Sequence, residues 1–173
     1  SDRAVIGWNL EDNQRRFRFD AGAGVGALAL SPDGSTLYTG GDDGLIRQWD
    51  LATKKPRASF KGHGAAIVSL HLRGDKLVSV GMDRTLRVWE IQTGKPLHVL
   101  QRDAGDADTL AVTRDGSIAA SAGTSGVIRL TRLDLGKAVH PASEVPAGLM
   151  RFVRSADGKH LAAAQIAKRL TRS

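Results

Sequence analysis

The side chains able to carry chemistry in this sequence are five histidines, two acidic clusters, a glycine-rich stretch and three tryptophans. His63, His71, His98, His140 and His160 form no His-x-x-x-His pair and no Glu-His metal helix, the spacings that bring two imidazoles to one face. No metal site is expected. Cysteine is absent, which excludes a thiol nucleophile, a disulfide scaffold and thiolate metal sites. Asp42-Asp43 and the trio Asp103, Asp106 and Asp108 are the acidic clusters. General acid–base work needs two carboxylates in one cleft with separated pKa values. Asp43 reads instead as a turn-capping residue with Asp42 exposed beside it. The trio reads as a solvated loop, lacking the glycine and distal Glu of a calcium-binding hand. Gly22-Ala-Gly24-Val-Gly26-Ala27 fits a loose dinucleotide pattern, but a strand and a turn follow it where pyrophosphate binding needs a helix N-terminus. No Gly-x-Ser-x-Gly elbow is present, and the sequence alone gives no serine a base. No catalytic residue and no cofactor are expected.

The tryptophans lead to the elements that position everything else. Ala4-Val-Ile-Gly-Trp8, Leu45-Ile-Arg-Gln-Trp49 and Thr85-Leu-Arg-Val-Trp89 share one frame, and Val127-Ile-Arg-Leu-Thr131 fits it with the tryptophan lost. The steps are 41, 40 and 42 residues. A second marker keeps the same register: Pro32-Asp33-Gly34, Arg114-Asp115-Gly116 and Ala156-Asp157-Gly158, with Arg73-Gly74-Asp75 as a reordered version. Such periodicity is the signature of a repeat architecture. Short runs rich in Val, Leu, Ile and Thr between glycine turns read as strands. In the unit beginning at Val25 they are 25–30, 36–39, 45–51 and 58–60, with Lys54-Lys-Pro-Arg57 breaking the third from the fourth. Four strands per unit of about 40 residues make a propeller blade. Residues 161–170 fit either a second strand or an alanine-rich amphipathic helix.

These residues resemble the WD40-repeat family, whose units carry Gly-His, then a strand–turn–strand, then Trp-Asp. The best match is Gly62-His63, Ser79, Asp83 and Trp89-Glu90. The resemblance implies a hydrogen-bonded chain Asp83, His63, Ser79, Trp89 within one blade. The preceding unit keeps Thr39, Asp43 and Trp49 without a histidine, and the following one keeps Ser121 with Ser125 and Thr131 in place of Asp and Trp. The fold expected is all-β, a WD40-type β-propeller of four-stranded antiparallel blades. One partial propeller should span residues 1–173, with blades about 25–60, 67–101 and 109–145 and half blades 1–20 and 150–173. A fragment of a larger propeller is the favoured reading, ahead of two chains closing an eight-bladed ring and of a self-closed ring of four.

Charge narrows the partner. The net charge of +7 is concentrated at the C-terminal end, where 145–173 holds six basic residues against Asp157 alone. A phosphate-binding domain spreads Lys and Arg over one face, so nucleic acid is not the expected partner. No apolar run approaches the roughly 20 residues of a membrane helix, no signal peptide is visible, and the cytoplasm is the expected compartment. The resemblance implies a non-catalytic protein-interaction or sensing platform, a section of a larger multidomain protein, that holds a protein or peptide. Further blades would come from the rest of the chain or from a second copy. The alternatives are a propeller enzyme or small-ligand site at the axial channel, and an anionic-partner binder using the basic C-terminal segment. Family partners sit on the face carrying the loops between fourth and first strands and between second and third strands. That face maps to Ala65 and to Asp42, Met82, Arg84 and Thr124. Met82, apolar and adaptable at a turn, suits a contact surface.

Overall fold

The computed structural model describes residues 3–101, 107–113, 115–123, 127–144, 149–154 and 161–166. Every regular element among them is a strand. β1 (Ala4–Trp8) and β2 (Arg15–Asp20) form a two-stranded antiparallel sheet. β3 (Val25–Leu30), β4 (Thr36–Gly41), β5 (Ile46–Asp50) and β6 (Lys55–Phe60) form the first four-stranded sheet, in chain order. The second is β7 (Ile67–Arg73), β8 (Lys76–Gly81), β9 (Thr85–Glu90) and β10 (Pro96–Gln101). The third is β11 (Ala107–Val112), β12 (Ile118–Gly123), β13 (Val127–Arg132) and β14 (Lys137–Glu144). β15 (Leu149–Arg154) and β16 (Leu161–Ile166) pair alone. Three blades and two half blades result, and among the described residues no sheet joins the first strand pair to the last.

Two local expectations meet particular outcomes. Residues 161–166 are a strand paired along its whole length with β15; pairing overrides the helical propensity of Ala162–Ala164. The Lys55-Pro56-Arg57 segment, read as a break, lies inside β6. The break falls earlier, at Lys54, whose φ is 59°. Proline is tolerated at position 56 because β6 is an outer strand, and the ladder shifts register opposite it, between Gln48 and Trp49.

The core lies between successive sheets rather than within any one. Val5, Ala21, Leu37 and Trp49 close the first boundary. Ala27, Tyr38, Ile46, Phe60, Ile67, Leu70, Leu77 and Trp89 close the second. Val78, Val80, Leu86, Val88, Leu110, Val112, Ala119 and Leu133 close the third. Each buried tryptophan meets an aromatic ring from the outer strand of the preceding sheet. Phe19 lies 4.7 Å from Trp49 and Phe60 lies 6.0 Å from Trp89, centroid to centroid. The Asp-Gly turns are organised by their own hydroxyls. Asp33 accepts hydrogen bonds from Ser31 Oγ, Ser35 N and Ser35 Oγ, and Asp115 accepts from Thr113 Oγ1, Ser117 N and Ser117 Oγ. Those donors hold both carboxyls down at about 2.

Candidate functional site

β8 turns Ser79 and β9 turns Trp89 into the sheet boundary, and the link from β6 to β7 lays His63 across them. Trp89 Nε1 donates to Ser79 Oγ at 2.8 Å. Ser79 Oγ lies 2.6 Å from His63 Nε2, and His63 Nδ1 lies 2.9 Å from Asp83 Oδ2. Ser79 accepts from the indole, so its own proton is left for His63 Nε2, and His63 donates from Nδ1 to Asp83. The chain of donors runs one way and requires a neutral imidazole. Burial is the larger influence on His63 and lowers its pKa below the ordinary 6.5, outweighing the upward pull of Asp83. Burial alone would raise the Asp83 carboxyl. Hydrogen bonds from Gly64 N, His63 and Thr85 outweigh it and leave that carboxyl below 3.8. Gly81 is needed for this packing, because a Cβ there would stand 2.6 Å from His63 Nδ1.

A serine, an imidazole and a carboxylate in this order are also the elements of a nucleophilic relay. Here the structure gives Ser79 the base that the sequence did not. Ser79 is fully buried and the His63 side chain has no exposure. The serine oxygen is already engaged by Trp89, so an acyl group has no approach to it. The relay therefore holds the blade together rather than presenting a nucleophile.

The sheet β3–β6 carries a shorter version. Trp49 Nε1 donates to Thr39 Oγ1 at 3.0 Å, and no histidine follows. Asp43 caps its turn by accepting from Leu45 N at 3.1 Å. Its carboxylate then takes both Arg47 amino groups, at 3.1 and 2.6 Å, and Arg47 is the largest influence lowering its pKa. Asp43 therefore pairs with an arginine, apart from the Thr39–Trp49 bond. Arg87 occupies the equivalent place in the next sheet, where Nε donates to Thr85 Oγ1 at 3.1 Å and the guanidinium lies 5.8 Å from the Trp89 ring. Sequence reading missed Arg47, Thr85 and Arg87. The one trace in the sequence is an arginine four residues after the aspartate in both units, a spacing too common on surfaces to single it out.

The remaining candidates lie at the same end of the sheets. Met82 is 52% exposed, and its backbone N–H is tied to Ala66 O at 2.8 Å. Asp42 is exposed and tied in the same way to Gly24 O at 2.9 Å. Its carboxylate lies against Gly24, where a Cβ would come within 2.0 Å of it. Arg84 is exposed and holds a φ of 63°, the left-handed region that side chains disfavour. Gly44 fills the equivalent position with a φ of 76°. Ala65 is half-buried, and its carbonyl would sit 3.2 Å from a Cβ on Gly44. It therefore borders the β4–β5 turn, while the next residue, Ala66, takes the Met82 N–H. Thr124 lies outside the described residues, as do Ser125, Asp103, Asp106 and Asp157.

Comparison with known proteins agrees with this geometry. The WD domain, G-beta repeat, matches residues 14–50 and 54–90, which cover β2–β5 and β6–β9. The rice protein named small ribosomal subunit protein RACK1y is 44% identical over 55 residues, 31% of this chain and 16% of its own. Autophagy-related protein 16 of Arabidopsis thaliana is 32% identical over 69 residues, 40% of this chain and 14% of its own. The aligned segments are thus a small part of either relative. Two consecutive repeat matches, with the tryptophan–hydroxyl bond made in both matched units, show WD40 repeats over residues 14–50 and 54–90.

Proposed function

We propose that this chain is a section of a non-catalytic protein-interaction platform whose contact face carries the β4–β5 and β8–β9 turns. The observation that carries this reading is the division of labour within residues 81–85. Asp83 and Thr85 are consumed by the hydrogen-bonded chain beneath, while Met82 and Arg84 stand in solvent on the same turn. Arg84 keeps a left-handed backbone where the neighbouring blade uses glycine, a strain on the order of 1–2 kcal/mol. That backbone closes the turn, Arg84 N donating to Gly81 O at 3.2 Å, and an arginine kept where glycine would close it without strain supports a role for the side chain. A guanidinium beside an adaptable apolar group suits a peptide or protein surface offering a carboxylate next to an apolar residue. A cytoplasmic setting within a larger multidomain protein belongs to this reading and rests on the sequence alone.

The test is the affinity of a partner captured by the chain and then purified. Met82→Asp and Arg84→Glu should each weaken binding roughly tenfold, a loss of about 1.4 kcal/mol, and leave thermal unfolding nearly unchanged. Arg84→Gly should also weaken binding while raising Tm by a few degrees, about 1 kcal/mol of relieved strain. Unaltered binding by Met82→Asp and Arg84→Glu would move the surface to the opposite end of the sheets, around Asp33, Arg73 and Asp115.

A further inference from the structure

The exposed hydroxyls of the described residues are used unequally. Ser35 Oγ donates to Asp33, Thr93 Oγ1 to Glu90 and the Thr53 hydroxyl to Asp50. Each of these sits in a turn against a carboxylate. Ser59, in β6, is exposed as well, and its hydroxyl has no hydrogen-bond partner among the described residues. β6 is the outermost strand of its sheet, so Ser59 lies on extended backbone with one edge unpaired among the described residues. Its surroundings are cationic. Lys54, Lys55, Arg57 and Lys61 flank it, and no acid occurs from 54 to 65. Arg57, though paired with Asp50, keeps its side chain 53% exposed. Arg47 of β5 stands directly opposite Ser59, which puts both side chains on one face of the sheet with Cβ atoms roughly 5 Å apart. The other blades keep the arginine and not the hydroxyl: Arg87 faces Val99 and Arg129 faces Pro141.

We propose that Ser59 is a phosphorylation site, modified by a serine kinase that selects basic flanks, and that Arg47 receives the phosphate. Ser59 Oγ attacks the γ-phosphorus of a nucleoside triphosphate, the bond to the departing nucleoside diphosphate breaks, and the hydroxyl proton passes to the kinase's base. Recognition rests on charge, since kinases choose acceptors by the charge pattern around the hydroxyl. The hydroxyls of Ser35, Thr53 and Thr93 fail on the same ground: each is spent on a carboxylate that would repel the incoming phosphate. Once formed, a phosphoserine brings nearly two negative charges and three acceptor oxygens to the place opposite Arg47. Arg47 now gives both amino groups to Asp43, and its Nε–H is unused among the described residues. The phosphate therefore shares or captures the guanidinium, and Asp43 loses part of its partner. A change on the outer strand is felt in this way at the β4–β5 turn. The inference does not depend on the contact face at Met82 and Arg84.

The experiment incubates the folded chain with ATP and a purified serine/threonine kinase of basic-flank specificity, beside a synthetic peptide of residues 54–65. Mass spectrometry should find one phosphoryl group per chain, on Ser59, and Ser59→Ala should abolish it. Arg57→Ala should slow the initial rate roughly tenfold, as for one lost charge-assisted contact. The phosphorus-31 signal of the modified chain is then followed against pH. In urea the second phosphate pKa should lie near 6. In the folded chain it should lie lower, and Arg47→Gln should remove the difference while circular dichroism confirms that the variant is folded. A folded chain that takes up no phosphate would overturn the proposal, whether or not the peptide is labelled. So would label that persists in Ser59→Ala, or a phosphate titration that Arg47→Gln leaves unmoved.

Discussion

The sheets β3–β6 and β7–β10 are built on one plan and held by different chemistry. In β7–β10 four side chains form a continuous line from Trp89 to Asp83, and every member is buried or nearly so. In β3–β6 the line stops after one bond, Trp49 to Thr39, and the aspartate at the turn takes both amino groups of Arg47, whereas Asp83 adds only a 3.7 Å ion pair with Arg87 to its histidine bond. Loss of the histidine leaves no polar group stranded in the second case. Asp43 sits far enough into solvent to pair with Arg47, and Thr39 still serves the indole. The tryptophan–hydroxyl bond is therefore the part of the plan that burial makes obligatory. The histidine and its aspartate add a second layer that ties the incoming link to the sheet.

This difference can be broken experimentally, and the largest effect should come from the tryptophans. Trp89→Ala should cost roughly 3–5 kcal/mol, the usual range for a large aromatic in a core. Trp49→Ala should cost less, since one side of Trp49 faces a sheet of only two strands. Urea midpoints give the order directly, and a greater loss at Trp49 would contradict it.

The hydroxyls come next. Ser79→Ala leaves both the Trp89 indole and His63 Nε2 without a partner, about 2–3 kcal/mol of desolvation unrepaid. Thr39→Ala orphans one indole, on the order of 1–2 kcal/mol. Identical midpoints for these two variants would remove the distinction between the sheets.

Acidification should separate them further. The unfolded chain protonates its histidine near 6.5, whereas folded His63 resists because its pKa is lowered by burial. The stabilisation is complete above about pH 6.5 and is lost as the pH falls from there towards the folded pKa, by at most about 1.4 kcal/mol per pH unit. Asp83, held below 3.8, adds a second loss beneath that value. Denaturation at pH 7.5 and 5.5 should show a decline in the parent chain that His63→Gln reduces. An undiminished decline in that variant would place its source elsewhere.

The smallest effect belongs to the arginines. Arg47→Ala should cost below about 1 kcal/mol and become less costly still in high salt, as for a pair near solvent. Arg87→Ala should cost more, because Arg87 also bonds Thr85 and lies over the Trp89 ring. Reversal of that order under the same conditions would mean that the salt-screened pair, and not the packed guanidinium, is the stronger support.

Much of this was legible in the residues. Tryptophans about 40 residues apart with Asp-Gly turns between them declare a repeated hairpin unit, because each marker is a local requirement of the strand or turn that contains it. Met82 and Arg84 were legible as turn residues for the same reason. Arg47 and Arg87 were not, since an arginine four residues after an aspartate is common on any surface, and its meaning depends on what the aspartate already holds. The first half of the outer strand, Lys55–Arg57, escaped because proline is forbidden only where a ladder needs its N–H, and which edge faces outward is a property of the sheet.

The sequence by itself determined the repeat, the strand class, and which side chains belong to a blade, because period and turn chemistry act over a few residues. Only the tertiary structure decided how completely Ser79 is buried, that Asp43 answers to Arg47, and that Leu28 is bare while Leu70 and Leu110 are covered. The first two depend on which side chains the folded turn and link bring together, and the last on what the neighbouring sheet brings across the boundary. Burial there sets both the cost of an unpaired polar group and the access of solvent, and no single repeat contains that information.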